Sequence, residues 1–231
     1  MAVHDEEVAR TRALGADLLG ALQGREGVLL GYVVAADELD ALAQAMRRAG
    51  LEPVGPIAMQ RERADGRVLG WRLLFPRGQR WRDSTPFVIE WTTSDADRLE
   101  WDEPAAHPNG VTRVDELTML VEDLPRAIAM HERAFGLGVA ADGPGLARAA
   151  IGDMSVQLVG FEAAVPRELE QLGEGLAELT LGVRDMDQAA KRIAGLIPDA
   201  DGRRYRIPES AALGVRLALI EVREPASRSL P

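Results

Sequence analysis

The sequence contains no cysteine. Disulfides, thiolate nucleophiles and Cys-ligated zinc or iron–sulfur centres are therefore excluded. Lysine is almost missing: Lys191 is the only one, and arginine carries the rest of the positive charge. Arginine's planar fork of donors suits anion recognition. Histidine is limited to His4, His107 and His131, and aromatics make up 4% of the chain. A net charge of −10 argues against nucleic acid and anionic membrane as partners, because both require a basic surface. No apolar run approaches membrane-spanning length. Met1 to Arg12 lacks the basic and then apolar segments of a secretory leader, so a cytoplasmic address is expected. There is no phosphate-binding loop of the Walker type and no nucleophile elbow. Gly143-Pro144-Gly145 reads as a turn between helix and strand, and does not lead from a strand into a helix as a dinucleotide site requires.

What remains is a chain of 231 residues, 46% of them hydrophobic, enough for one large or two small domains with a sizeable core. Asp5 to Gln23 reads as a helix with Leu14, Leu18, Leu19 and Leu22 on its apolar stripe. Gly27 to Ala35 is a nearly continuous apolar run and is expected as a buried strand. Asp37 is the expected N-cap of a helix that ends at Gly50. Three strands are expected next, at Pro53 to Arg61, Arg67 to Phe75 and Pro86 to Thr92, with Asp65-Gly66 as a hairpin turn. A polar linker, Ser94 to Asn109, follows.

The pattern then restarts twice. A strand at Val111 to Val121 precedes a helix at Leu124 to Leu137 and strands at Ala147 to Ile151 and Met154 to Phe161. After a second linker, a strand at Leu176 to Val183 precedes a helix at Met186 to Ile197 and strands at Arg203 to Ile207 and Gly214 to Val222. The segment Glu116-Leu117-Thr118-Met119-Leu120-Val121-Glu122-Asp123 matches Glu178-Leu179-Thr180-Leu181-Gly182-Val183-Arg184-Asp185 at five of eight positions. Leu30 to Asp37 is a looser copy. Such self-similarity marks a repeated supersecondary unit. The fold class is α+β, with three βαβββ modules preceded by an N-terminal helix. The divisions are 1–24 for the helix, 25–110 and 111–175 for the first two modules with their linkers, and 176–231 for the third module and tail.

This strand–Asp–helix–strands repeat resembles the vicinal-oxygen-chelate superfamily (glyoxalase, bleomycin resistance and extradiol dioxygenase proteins). More narrowly it resembles the glyoxalase-like domain proteins. The narrower likeness rests on Arg63-Ala64-Asp65-Gly66, Leu69-Gly70-Trp71-Arg72-Leu73, Pro86-Phe87-Val88-Ile89-Glu90-Trp91 and His107-Pro108-Asn109-Gly110. It covers roughly residues 24 to 222 and implies a cup enclosed by paired modules. The chain opens with the helix that ordinarily follows a further unit, so one module is expected to lack a partner within the chain. The expectation is a homodimer through that module, the alternatives being a truncated product or a misassigned start.

The resemblance also implies where ligands sit: seven residues before the Asp on the first strand, and within the last strand of each module. The first rule selects Glu116 and Glu178, and Leu30, which cannot ligate. The second selects Glu90, Gln157 and Glu221. Glu116, Glu178 and Glu221 are the candidate catalytic groups. An all-oxygen set of this kind suits a hard divalent cation such as Mg²⁺ or Mn²⁺. A strand-end Glu is more often a solvated or salt-bridged residue, so no metal is assigned and the divalent ion stays an alternative. Glu90, Arg72, Trp71, Trp91 and Gln157 are the candidate ligand-binding residues, with Arg72 and Glu90 expected as a cross-strand pair. Trp81 and Trp101 extend the aromatic set, and Arg77, Arg80 and Arg82 read as a solvated loop. His131 is expected as a core or interface histidine. The function expected is small-molecule binding. The alternatives are metal-assisted lyase or isomerase chemistry next to a carbonyl, a sequestering module of the resistance type, and an assembly role.

Overall fold

The computed structural model describes residues 13–22, 25–76, 85–101, 107–161 and 173–222. Helix α1 (Ala13–Leu22) leads into the first module: β1 (Val33–Ala35), α2 (Leu39–Arg48), β2 (Val54–Glu62), β3 (Val68–Phe75) and β4 (Phe87–Trp91). A short helix α3 (Asp95–Trp101) then crosses what the sequence suggested was plain linker. Ser94 starts it by accepting from Asp97 N. The second module is β5 (Val111–Val121), α4 (Leu124–Phe135), β6 (Val139–Gly143), β7 (Leu146–Ile151) and β8 (Met154–Gly160). The third is β9 (Gly175–Val183), α5 (Met186–Arg192), β10 (Ile197–Pro198), β11 (Arg204–Ile207) and β12 (Arg216–Glu221). Two strands escaped the sequence reading, β6 and β10. β10 has only two residues, and β6 carries Asp142 and Gly143, so neither shows strand periodicity. Gly143-Pro144-Gly145 therefore turns between two strands.

In each module the first strand runs parallel to the last: β1 with β4, β5 with β8, β9 with β12. β5 and β9 then pair antiparallel and fuse the second and third modules into one eight-stranded sheet, in the order β10-β11-β12-β9-β5-β8-β7-β6. The first module keeps a sheet of its own, β1-β4-β3-β2. Period-two alternation divides each strand between two faces. Leu117, Met119, Val156 and Leu158 face α4, while Leu219 and Val183 face α5.

Helix α2 places Leu39, Ala43 and Met46 on one stripe at helical spacing, all buried. That stripe packs on Leu74 and Val88 of the first sheet and against Met130, Ala134 and Phe135 of α4. Burying a Leu or Met side chain contributes on the order of 1.5–3 kcal/mol. The first two modules are thus held as sheet, helix, helix, sheet.

The expected strand at Gly27 to Ala35 is strand only from Val33. Residues before it leave the sheet, with Leu29 and Tyr32 packing on the core under α4. A Cβ at Gly27 would come within 2.9 Å of the Leu213 carbonyl oxygen, so this stretch also passes close to the third module. Asp37 does not cap α2. Glu38 holds the cap position with a left-handed backbone, and Glu90 on β4 supplies the acceptor for Leu39 N at 3.3 Å. Asp123 and Asp185 do cap α4 and α5, accepting from Arg126 N and Gln188 N.

His131 is fully buried on α4. Its Nδ1 lies 2.8 Å from the Ala127 carbonyl oxygen, so Nδ1 carries the proton and Nε2 accepts from the Tyr32 hydroxyl at 3.2 Å. Burial lowers the His131 pKa, against a smaller opposing effect of the Ala127 bond, and burial raises that of Tyr32. The unfolded chain therefore binds a proton at His131 that the folded chain refuses. This contribution to stability is complete above the ordinary histidine value near 6.5 and is lost as pH falls through it. The melting temperature is expected to drop between pH 7 and 5, with a shallower drop in His131→Gln. Parallel pH profiles would show that His131 is not the group responsible.

Candidate functional site

The helix-free face of the eight-stranded sheet carries the charged groups. Glu116 and Glu178 occupy equivalent places in β5 and β9, and both are buried, at 7% and 9% exposure. The antiparallel register sets Glu116 opposite Thr180 and Thr118 opposite Glu178, so the two carboxylates sit diagonally on neighbouring strands. Buried carboxylates at such spacing need cations. Arginines from three other strands supply them. Arg148 on β7 pairs with Glu116, and Ser155 on β8 lies within hydrogen-bond distance of both. Arg204 on β11 sits between the carboxylates: its Nη1 donates to Glu116 Oε1 at 3.1 Å, and its Nη2 to Glu178 Oε1 and the Thr180 hydroxyl. Arg216 on β12 reaches Glu178 Oε2 at 3.4 Å.

The result is a row of alternating sign, Arg148–Glu116–Arg204–Glu178–Arg216. Arg148 is lowered by burial, but Glu116 and Asp142 outweigh that and its pKa is raised. All four carboxylate oxygens of the pair face guanidinium groups.

Next to this row a cavity of about 300 Å³ opens between β10, β11 and β12. Arg206, Arg216 and Glu178 line one part of it, Ile197, Ile207 and Leu217 another, with Glu209 on the exposed 3-10 turn Glu209–Ala211 beside it. Sequence reasoning missed Arg148, Arg204, Arg206 and Arg216. The signal was there: a basic residue at alternate positions of short strands that otherwise read as apolar.

The structure does not bring the remaining candidates together. Leu219 packs under α5, so Glu221, two residues on, faces the same helix, where it accepts from Met186 N at 3.1 Å. A carboxylate at a helix N-terminus is stabilised by the helix dipole, which accounts for this Glu without a ligand. Glu90 does the same for α2 and also pairs with Arg72, which bonds Asp40 at 2.8 Å. The Asp40 and Glu90 hydrogen bonds raise the Arg72 pKa. Arg72 and Glu90 thus lie on the helix side of the first sheet. Trp71 and Trp91 stack edge to face on its other side, with centroids 6.0 Å apart, and Arg98 covers Trp91 at 4.2 Å. Gln157 lies on the other sheet, beside Thr118 and Arg148. The five expected ligand-binding residues therefore occupy three separate places. Trp101 stacks under Arg67, and His107 meets Asn109 within its turn. Trp81, Arg77, Arg80, Arg82 and His4 lie outside the described residues.

A divalent cation does not fit these groups. Glu221 is on the wrong face, Gln157 is one strand removed from Glu178, and the gap between Glu116 and Glu178 is filled by Arg204. Among the described residues no three His, Asp or Glu side chains are grouped to hold an ion. Among them also, no helix is long and apolar enough to cross a membrane.

Removing Glu178 would leave Arg204 and Arg216 short of a partner, so Glu178→Ala is expected to cost about 3–5 kcal/mol in chemical denaturation. Glu221→Ala removes only a helix-end contact and should cost no more than about 1 kcal/mol. Equal effects would contradict this placement.

Comparison with solved structures gives a match to a hypothetical protein from Staphylococcus aureus, with a TM-score of 0.64 and 14% identity, over 95% of this chain and 79% of that one. The methylmalonyl-CoA epimerase of Mycobacterium tuberculosis matches at a TM-score of 0.42 and 22% identity, over 55% of this chain and 95% of that one. No curated protein matches the sequence. Residues 1–135 match the family model described as the glyoxalase-like domain. With more than half its length so matched, the chain belongs to the glyoxalase-like domain family.

Proposed function

We propose that the chain is a small-molecule-binding protein, that its ligand lies in the cavity between β10, β11 and β12 of the third module, and that this ligand is an anion with an apolar body. One observation carries the reading. In strand register Arg206 is the repeat equivalent of Arg148: Arg148 stands opposite Gln157, itself opposite Thr118, and Arg206 opposite Ala218, itself opposite Thr180. Arg148 is tied to Glu116 and Asp142. Among the described residues Arg206 bonds no carboxylate; Arg204 and Arg216 hold Glu178. A guanidinium that meets no carboxylate among the described residues, beside an apolar-walled cavity, is suited to a carboxylate group. Glu209, which also lines the cavity, is exposed and forms no ion pair among the described residues. It favours a ligand whose charge lies on the Arg206 and Arg216 side.

Metal-assisted chemistry next to a carbonyl finds no support in these groups. The oxygens of Glu116 and Glu178 are engaged by guanidinium, so neither is open to take a proton from a substrate. Binding without turnover accords better with the site, as in a sequestering module.

Benzoate and its neutral counterpart benzamide separate the possibilities. Benzoate is expected to raise the melting temperature of the wild-type chain with concentration, while benzamide leaves it unchanged. Arg206→Gln, at an exposed position, should fold normally and lose the benzoate response. A full response in that variant, or none in the wild type, would refute the anion reading.

The outer edge of β1 supports an assembly role beside binding. β5 and β9 pair along the edge that β1 leaves unpaired among the described residues, and Val33 there is 44% exposed. A second copy joined at this edge would complete the first sheet as β5 and β9 complete the other. Light scattering should then give twice the chain mass of 25.0 kDa. A monomer at micromolar concentration would exclude it.

A further inference from the structure

We infer that Arg204 is a built-in cation: its guanidinium holds the place between Glu116 and Glu178 that a divalent ion would occupy, and the site accepts metal only when Arg204 is removed. Three oxygens converge on this one side chain, Glu116 Oε1, Glu178 Oε1 and the Thr180 hydroxyl. Carboxylate and hydroxyl oxygens are what a hard cation takes. Here they are met instead by a planar fork that satisfies two carboxylates at once.

The repeat shows that this arginine is peculiar to the third module. Arg204 stands opposite Ile220, and Ile220 opposite Gly182. The matching row of the second module is Leu146 opposite Val159, and Val159 opposite Leu120. So the equivalent of Arg204 is Leu146, an apolar residue that carries no charge to the pair. Both modules contribute a glutamate by the same rule, and only the third contributes the cation that bridges the two.

Local structure fixes where that cation stands. The turn before β11 is closed by Asp199, whose carboxylate accepts from Arg203 N and Arg204 N at 3.1 Å each and whose N–H donates to the Arg204 carbonyl oxygen at 2.8 Å. The Arg204 backbone is thereby held, and its side chain extends across β12 and β9 to reach Glu116 on β5. Arg148 and Arg216 lie on the outer sides of the two carboxylates and cannot take over the central position without leaving their own.

The test uses the full chain, with Mn²⁺ as the probe. Isothermal titration of the wild type should show no Mn²⁺ binding, and chelator should leave its melting temperature unchanged. Arg204→Ala leaves Glu116 Oε1 and Glu178 Oε1 without a guanidinium while Arg148 and Arg216 keep the outer oxygens, and its melting temperature should fall by roughly 10 °C. Mn²⁺ should restore part of that loss, with binding near one ion per chain, and Arg204→Ala combined with Glu178→Gln should not respond. Stoichiometric Mn²⁺ on the wild type overturns the inference, as does an Arg204→Ala protein that is as stable as wild type or indifferent to Mn²⁺. If Arg204→Ala does not fold, the wild type decides: bound Mn²⁺ overturns the inference, and its absence with no chelator effect upholds it. The anion reading rests on Arg206 and the benzoate response, so either conclusion can fail without the other.

Discussion

Two glutamates buried on adjacent strands set the terms for the rest of this face. A carboxylate taken out of water is tolerable only when opposite charge and hydrogen bonds replace the hydration it has lost. Glu116 and Glu178 sit where β5 meets β9, the seam that makes one sheet of two modules. Arg204 at the seam and Arg148 and Arg216 flanking it bring strands β7, β11 and β12 into the same electrostatic arrangement. Asp142, paired with Arg148, continues the alternation at one end of the row.

The glutamates of the last strands show how one residue type serves a different purpose at a neighbouring address. Glu90 and Glu221 each accept a backbone N–H from the first residue of the module's own helix. They secure the crossover from first strand to helix, each on the helix side of its own sheet. In the second module Gly160 ends β8, and Asp123 alone caps α4 by its side chain. A Glu that recurs in a repeat is therefore a helix-end contact as readily as a site.

The first module is joined to the others by packing more than by charge. The core shared by α2 and α4 is apolar throughout. Beside it lies the Tyr32–His131 hydrogen bond, where a segment leaving the first sheet crosses the second module. The Trp71–Trp91 pair belongs to the opposite side of the first sheet and makes no part of the charged face.

The sequence alone determined the modules. The matched segments from Glu116 and Glu178, the apolar stripes of α2 and α4 and the capping residues Asp123 and Asp185 are local signals, each contained within about ten residues. It also placed Glu116 and Glu178 at equivalent positions. Partners were another matter. Which face Glu221 meets depends on the registry of β12, and the cap of α2 comes from Glu90, some fifty residues away. Arg204 meets Glu116 across 88 residues of chain. Such pairings arise only when strands are set side by side, because period-two alternation gives a side chain its face and the neighbouring strand gives it its partner. Tertiary structure therefore decided that the cation between the two glutamates is an arginine of the chain itself.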